Sequence, residues 1–336
     1  MINKADAIKV DGKITAAAEA PISIELGKFR KMRQGVATNL LTKTGAAEDN
    51  TQTDKYTGIT TITNGDLSVM LPNFDELAGL RTSTYQLLDA ATVRLTETGL
   101  KDTHVELSMN EYMKMRGLKD RKEARSQARA DARTLSKISI SYHEPRRGSE
   151  GAFYELNLFQ GIGMARNGVI CFDFTPKFMQ ALEGYPFMYV HPLLWRLNSK
   201  RNPNSYYLLR KISELKHMNA GKGNEDIISV QTLLACSPNF VSYEEVMAGN
   251  KNTTARIIEP FCRDMDALED ALTWEFCHTN GKPLTDKECE NMSYSIFAGL
   301  LVHVIWREYP QGTGKALEDG KQKKGGKHVP RRKRKE

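Results

Sequence analysis

Between Thr82 and Thr98, Tyr85, Leu88, Ala91 and Leu95 recur every three or four positions, the spacing of one helix face. The pattern then shortens to Val105-Glu-Leu107, a strand. Ser108 followed by Glu111 forms a capping box that opens a second helix containing Tyr112, Met113 and Met115, and Gly117 closes it. A third helix follows Asp120. On it Arg121, Arg125, Arg129 and Arg133 recur every four residues, and Ala124, Ala128, Ala132 and Leu135 form a small-residue face suited to close packing. Period two takes over at Ile138, Ile140 and Tyr142, which alternate with Lys137, Ser139 and Ser141. Tyr154, Leu156 and Leu158 repeat the alternation after a turn-rich stretch, 145–151, that carries Arg146 and Arg147.

Helix, strand, helix, turn, helix, hairpin is the order of a winged helix-turn-helix. The arginine helix takes the place of the recognition helix, and Arg146 and Arg147 take the wing tip. Upstream, Tyr56 to Phe74 reads as short strands with a turn at Asn64-Gly65. Downstream, a strand over Val169–Phe174 and a helix over Pro176–Leu182 complete the unit, and Gly184-Tyr-Pro186 marks its boundary.

The second half repeats the plan. Leu193, Leu194 and Leu197 have helical spacing, and a helix capped by Asn202–Ser205 runs to Met218. Leu208, Leu209, Ile212 and Leu215 form its core stripe, with Arg210, Lys211 and Lys216 expected to face out. Ile227-Ile228 is a short strand and Ser229 opens a short helix. Ser242 with Glu245 is a second capping box. A longer helix is expected over 252–272, with Ile257, Phe261, Met265 and Leu268 inside and a kink or restart at Pro260. A second hairpin starts at Thr273–His278 and Asn280-Gly281, and returns over Leu300–Glu308 after an insertion at 286–291. The expected fold class is therefore α+β: two tandem winged helix-turn-helix domains, 57–184 and 185–310. A flexible N-terminal arm (1–56), within which 22–32 forms a short element at most, and a disordered basic C-terminal tail (311–336) flank them.

Charge sharpens this picture. Of 48 basic and 41 acidic side chains, ten and three lie between Lys315 and Glu336, so residues 1–314 hold 38 of each. The formal net charge of +7 thus belongs to the tail, and nucleic-acid contact by the folded body must come from local patches. The tail serves either as a non-specific DNA anchor or as a solubilising extension. No apolar run is long enough to span a bilayer, no signal peptide is visible, and five scattered cysteines without a CxxC pair suit a reducing cytoplasm.

The candidate chemistry is DNA contact. Arg121, Lys122, Arg125, Arg129 and Arg133, with Arg146 and Arg147 on the wing, would flank one duplex and neutralise phosphates. In the second half Lys251, Asn252, Thr253, Thr254 and Arg256 gather at a helix start, where backbone amides favour phosphate and short polar side chains suit base edges. Arg196, Lys200 and Arg201 are either backbone contacts or a soluble loop. Tyr185 and Tyr189 have the spacing of paired nicking tyrosines, but no His-x-His accompanies them to hold a metal, so they read as interdomain packing. Gly312-Thr-Gly-Lys315 lacks the spacing of a phosphate loop. Cys277, His278, Cys289 and His303 are too irregularly placed for a zinc set. No catalytic residue, cofactor or metal is expected.

Asn204-Ser-Tyr-Tyr-Leu-Leu-Arg-Lys-Ile-Ser-Glu-Leu215, Ser242-Tyr-Glu-Glu-Val246 and Ala255-Arg-Ile-Ile-Glu-Pro-Phe261, set in the tandem plan, resemble the initiator replication protein family of plasmids. Thr273-Trp-Glu-Phe276 and Glu308-Tyr-Pro310 are similar to initiators of Gram-positive mobile elements. The resemblance covers roughly residues 70–310. It implies two winged helices binding double-stranded DNA at origin repeats, origin melting, recruitment of host replication proteins such as the helicase loading machinery, and a monomer–dimer switch in which a homodimer represses its own gene. The long arm, the insertion and the tail depart from the family's minimal pattern. A winged-helix transcriptional regulator and a rolling-circle nicking enzyme are the alternative readings.

Overall fold

The computed structural model describes residues 29–33, 51–54, 56–57, 59–64, 67–72, 81–143, 153–183, 187–224, 226–285, 288–289 and 292–310. Its centre is helix α1 (Thr82–Glu97), which is buried from Thr82 to Leu95 on every side and not on one stripe only. Burial all round requires each polar side chain to find a partner. Thr92 Oγ1 donates to the Leu88 carbonyl, Gln86 Nε2 donates to the Leu194 carbonyl at 2.8 Å, and Asp89 accepts from Tyr206 and Arg210.

Strand β1 (Arg30–Arg33) lies within the stretch expected to be a flexible arm, and so does β2 (Thr51–Thr53). That expectation is corrected for both. Met32 is fully buried, Arg30 pairs through two nitrogens with Glu97 at the end of α1, and the Arg33 amide donates to Thr96 Oγ1. Residues 1–28 and 34–50 lie outside the described residues. Strands β3 (Ile59–Asn64) and β4 (Leu67–Pro72) form the expected hairpin, whose Gly65 also lies outside them.

After α1 come β5 (His104–Leu107), α2 (Met109–Arg116) and α3 (Arg121–Leu135). The Ser108–Glu111 capping box forms, and Gly117 ends α2 at φ 66°. Strands β6 (Ser139–His143) and β7 (Phe153–Asn157) follow, then β8 (Phe159–Met164) and β9 (Ile170–Phe174). The wing expectation fails at this point. β6 and β7 join β2, β3 and β4 in a five-stranded antiparallel sheet of order β2-β3-β4-β6-β7. The strand between α1 and α2 pairs instead with β9, in a three-stranded sheet of order β5-β9-β8. The hairpin closing the helical unit is therefore β8–β9.

Helix α4 (Pro176–Glu183) leads past 184–186, which lie outside the described residues, to β10 (Phe187–Val190), antiparallel to β1. A one-turn helix α5 (Leu193–Arg196) precedes α6 (Ser205–Met218). Arg210, expected to face out, is 5% exposed and pairs with Asp89 of α1, whose presence opposite no local pattern reveals. Lys211 and Lys216 are also partly covered, paired with Glu214 and Asp226.

Next come β11 (Ile227–Ser229), α7 (Val230–Leu234) and α8 (Tyr243–Ala248), the last with its capping box. The long helix restarts as expected: a π turn over Thr254–Ile258 gives way to α9 (Glu259–Asp266). Pro260 has no N–H to donate to a carbonyl in the preceding turn, so the ladder changes register there. Strand β12 (Leu272–Cys277), a short helix α10 (Tyr294–Ala298) and β13 (Leu301–Trp306) complete a sheet of order β11-β13-β12. Both three-stranded sheets thus run first, third, second in chain order. Buried apolar residues from both halves form one continuous core, with Tyr85 stacked on Tyr206 at its middle.

Candidate nucleic-acid interface

Helix α3 starts where Asp120 accepts from the Glu123 amide at 2.8 Å. Its buried face is Ala124, Ala128, Ala132 and Leu135, small enough to bring α3 close against α1. Asp131 on the same face accepts from Ser83 Oγ and Thr84 Oγ1 in the first turn of α1. Burial pushes its carboxyl pKa up, and those hydroxyls pull against the shift.

A four-residue repeat drifts by about 40° each step around a helix of 3.6 residues per turn. The arginine stripe is split accordingly. Arg125 is half-buried against the β8–β9 turn, whereas Arg121, Lys122, Arg129 and Arg133 are exposed. Arg121 donates to Asn110 Oδ1, and Arg125 donates to the carbonyls of Ala165 and Arg166 at 3.3 Å.

That turn is tight. The Gly168 amide donates to Ala165 O at 2.9 Å, and Asn167 Oδ1 accepts from the Val169 amide. Gly168 has φ +90°, and a Cβ there would lie 3.2 Å from Met109 Cβ and 3.5 Å from an Arg121 guanidinium nitrogen. Only glycine suits both the backbone and the space. Arg166 and Asn167 stand exposed at the tip beside α3. They occupy the place that Arg146 and Arg147 were expected to hold. Arg146 and Arg147 lie outside the described residues, and the strands leading to them belong to the five-stranded sheet. The β8–β9 hairpin carries a sequence signal: Asn167-Gly168 sits between alternating Ile162, Met164 and Ile170, Phe172.

In the second half, Lys251, Asn252, Thr254 and Arg256 are exposed and Thr253 is half-buried. Lys251 adopts φ +60°, and its amide donates to Val246 O, which turns the chain sharply out of α8. Asn252 Oδ1 accepts from the Ala255 amide at 3.0 Å, so its carbonyl caps the helix and leaves the NH2 for a ligand. Arg256 projects from the π turn. Hydrogen bonds from Ser242 hold the nearby Glu245 carboxyl below its ordinary range, with a smaller pull from Arg256.

Arg196, Lys200 and Arg201 are exposed around α5 and the loop that follows. Tyr189 packs edge-on against Phe187 and Tyr309, joining β10 to the segment that follows β13. Tyr185 lies outside the described residues. Cys277 is buried, whereas His278 faces Glu288 and His303 faces Glu275, so these side chains serve separate contacts. Among the described residues no helix is long and apolar enough to cross a membrane.

Residues 75–210 match the model of a family described as Initiator Replication protein, WH1. Among solved structures, the chain is similar to domains 2 and 3 of RctB at 10% identity, covering 79% of this chain and 98% of that one, with a TM-score of 0.43. A second RctB structure of domains 2-3 gives 12% identity over 76% of this chain and 89% of that one, TM-score 0.38. The WH1 domain of MSBI1.176, a replication protein isolated from a multiple sclerosis patient, is 19% identical over 30% of this chain and 81% of its own, TM-score 0.24. No curated protein matches the chain.

Proposed function

We propose, on the match of residues 75–210 to the model of the Initiator Replication protein WH1 family, that this chain is the DNA-binding replication initiator of a plasmid or mobile element. In this reading α1 to α3 with β5, β8 and β9 form the first winged helix, and α6 to α9 with β11 to β13 form the second. The two recognition helices, α3 and the helix beginning at Thr254, enter successive major grooves of an origin repeat. Lys122, Arg129, Arg133 and Arg166 meet phosphate or guanine edges in the first. Arg125 acts one step back, by fixing the wing turn against α3, and Arg121 by bonding Asn110 of α2. Lys251, Asn252, Thr253, Thr254 and Arg256 serve the second groove, and the basic tail adds sequence-independent attraction.

The observation that supports this reading is the clasp of the β8–β9 turn by Arg125, which holds the turn bearing the exposed Arg166 against α3. The protein acts by binding, in the cytoplasm, and hands the opened origin to host replication proteins such as the helicase loading machinery. A homodimer that represses the gene is part of the same proposal. A plasmid carrying only this gene and its flanking DNA tests the replication role. Maintenance in a permissive host that is lost with Arg129→Ala plus Arg133→Ala supports it. Repression of the gene's promoter without plasmid maintenance would make the chain a winged-helix regulator.

A further inference from the structure

The outer face of the β5-β9-β8 sheet carries a feature that DNA binding does not use. His104 and Glu106 on β5 are paired in register with Asp173 and Cys171 on β9. Their neighbours Val105, Leu107, Ile170, Phe172 and Phe174 point inward and are buried, so the four polar residues share the solvent face. His104 Nδ1 lies 2.6 Å from Asp173 Oδ1, and its Nε2 lies 3.3 Å from Glu106 Oε1. The Cys171 thiol points at the same Glu106 oxygen from 4.0 Å. One donor atom each from His104, Glu106 and Cys171 fall within 4.8 Å of one another.

The third strand supplies an independent observation. Opposite Asp173 and Cys171, β8 places Gly161 and Gly163. Neither has positive φ. A Cβ at Gly163 would meet nothing within 4 Å, and one at Gly161 would make an ordinary 3.5 Å contact with Asp173. Gly161 adjoins a β-bulge, a backbone reason that Gly163 lacks. Glycine weakens a strand interior and is found there at bulges, at tight bends and where a ligand or another backbone comes close. The bare strand leaves the donor cluster open on one side, level with the sheet.

We infer that this face binds a divalent transition metal of the zinc class through His104 Nε2, the Glu106 carboxylate and the Cys171 thiolate. Asp173 orients the imidazole through Nδ1, and a fourth position opens towards Gly163. Imidazole, thiolate and carboxylate together are a zinc donor set, and sulfur with nitrogen disfavours magnesium or calcium. A carboxylate on the far nitrogen of a ligating histidine fixes its tautomer. An imidazolium held between Glu106 and Asp173 would account for those three residues alone; it explains neither the thiol nor the bare strand. A bound ion cross-links β5 to β9, the strand that leaves the wing turn.

The test uses the full chain, stripped with a chelator and titrated with cobalt(II), which reports thiolate ligation by a near-ultraviolet charge-transfer band. The expected result is saturation of that band with a single ion per chain and its displacement by zinc. Cys171→Ser should abolish the band, and His104→Ala should weaken binding at least as much as Asp173→Asn, whose loss should be about 10–100-fold. Cys289→Ser, an exposed thiol elsewhere, should change nothing. Cobalt binding that is equally tight in Cys171→Ser, or a band that vanishes with Cys289→Ser, would overturn the assignment.

Discussion

Arg210 and Asp89 meet where α6 crosses α1, with side chains 6% and 3% exposed and Tyr206 donating to the same carboxylate at 2.5 Å. Burial pushes the Asp89 carboxyl pKa up, while the Arg210 charge pulls it down. Removing one partner strands the other in the core, which costs about 3–5 kcal/mol. Arg210→Met should lose that much in urea unfolding, and adding Asp89→Asn should recover part of it. A loss below about 1 kcal/mol would mean the pair is dispensable. His217 is a second buried polar residue, with no partner at either ring nitrogen among the described residues. Burial lowers its pKa from 6.5. As pH falls through that value the unfolded chain takes up the proton first, so this part of the stability is present above 6.5 and drains away below it. His217→Leu should flatten the fall in Tm between about pH 7 and about pH 5. Curves parallel to wild type would assign the acid sensitivity elsewhere, with the half-buried His191, whose pKa burial also lowers, the next residue to substitute.

At the level of elements, the β8–β9 turn, the proposed wing, is the most sensitive joint. Gly168→Ala meets both a positive φ and a 3.2 Å contact with Met109 Cβ. It should cost more than about 1 kcal/mol and weaken DNA binding with α3 intact, as read by chemical unfolding and by titration with the gene's flanking DNA. Unchanged affinity in a destabilised variant would separate the wing from the interface. Helices were the readable elements, because their caps and periods are local: Ser108 with Glu111, Ser242 with Glu245, and Pro260 at the restart all act within a turn or two. The wing was not readable in the same way. Ile138–Leu158 and Ile162–Phe174 both alternate, and the choice between them rests on whether β9 or β7 pairs with Val105 across more than forty residues. Arg210 misled for a related reason: its neighbours on α6 fit an outward face, and its partner is 121 residues away. The arginine stripe of α3 was visible as a stripe. Its division into wing clamps and exposed contacts needed the position of the 165–168 turn.

Across the whole molecule, α1 serves both halves. It holds α3 through Asp131, the N-terminal strand through Glu97, and α6 through Asp89, so the two proposed winged helices share one core. Phe29, His191, Trp306 and Tyr309 close the same junction with a cluster of rings. A shared core fixes the spacing of the two proposed recognition helices, as reading adjacent grooves of one repeat would require. The central claim is that this body recognises DNA in sequence, apart from the charge of its tail. The most direct measurement is a footprint on the DNA flanking the gene, comparing wild type with Arg129→Ala plus Arg133→Ala at two salt concentrations. Regularly spaced protection is predicted, weakened in the double variant, with the slope of log affinity against log salt smaller by roughly 2 if both arginines neutralise phosphates. Uniform, salt-sensitive coating of the fragment by both proteins would contradict the account and leave the tail as the source of binding.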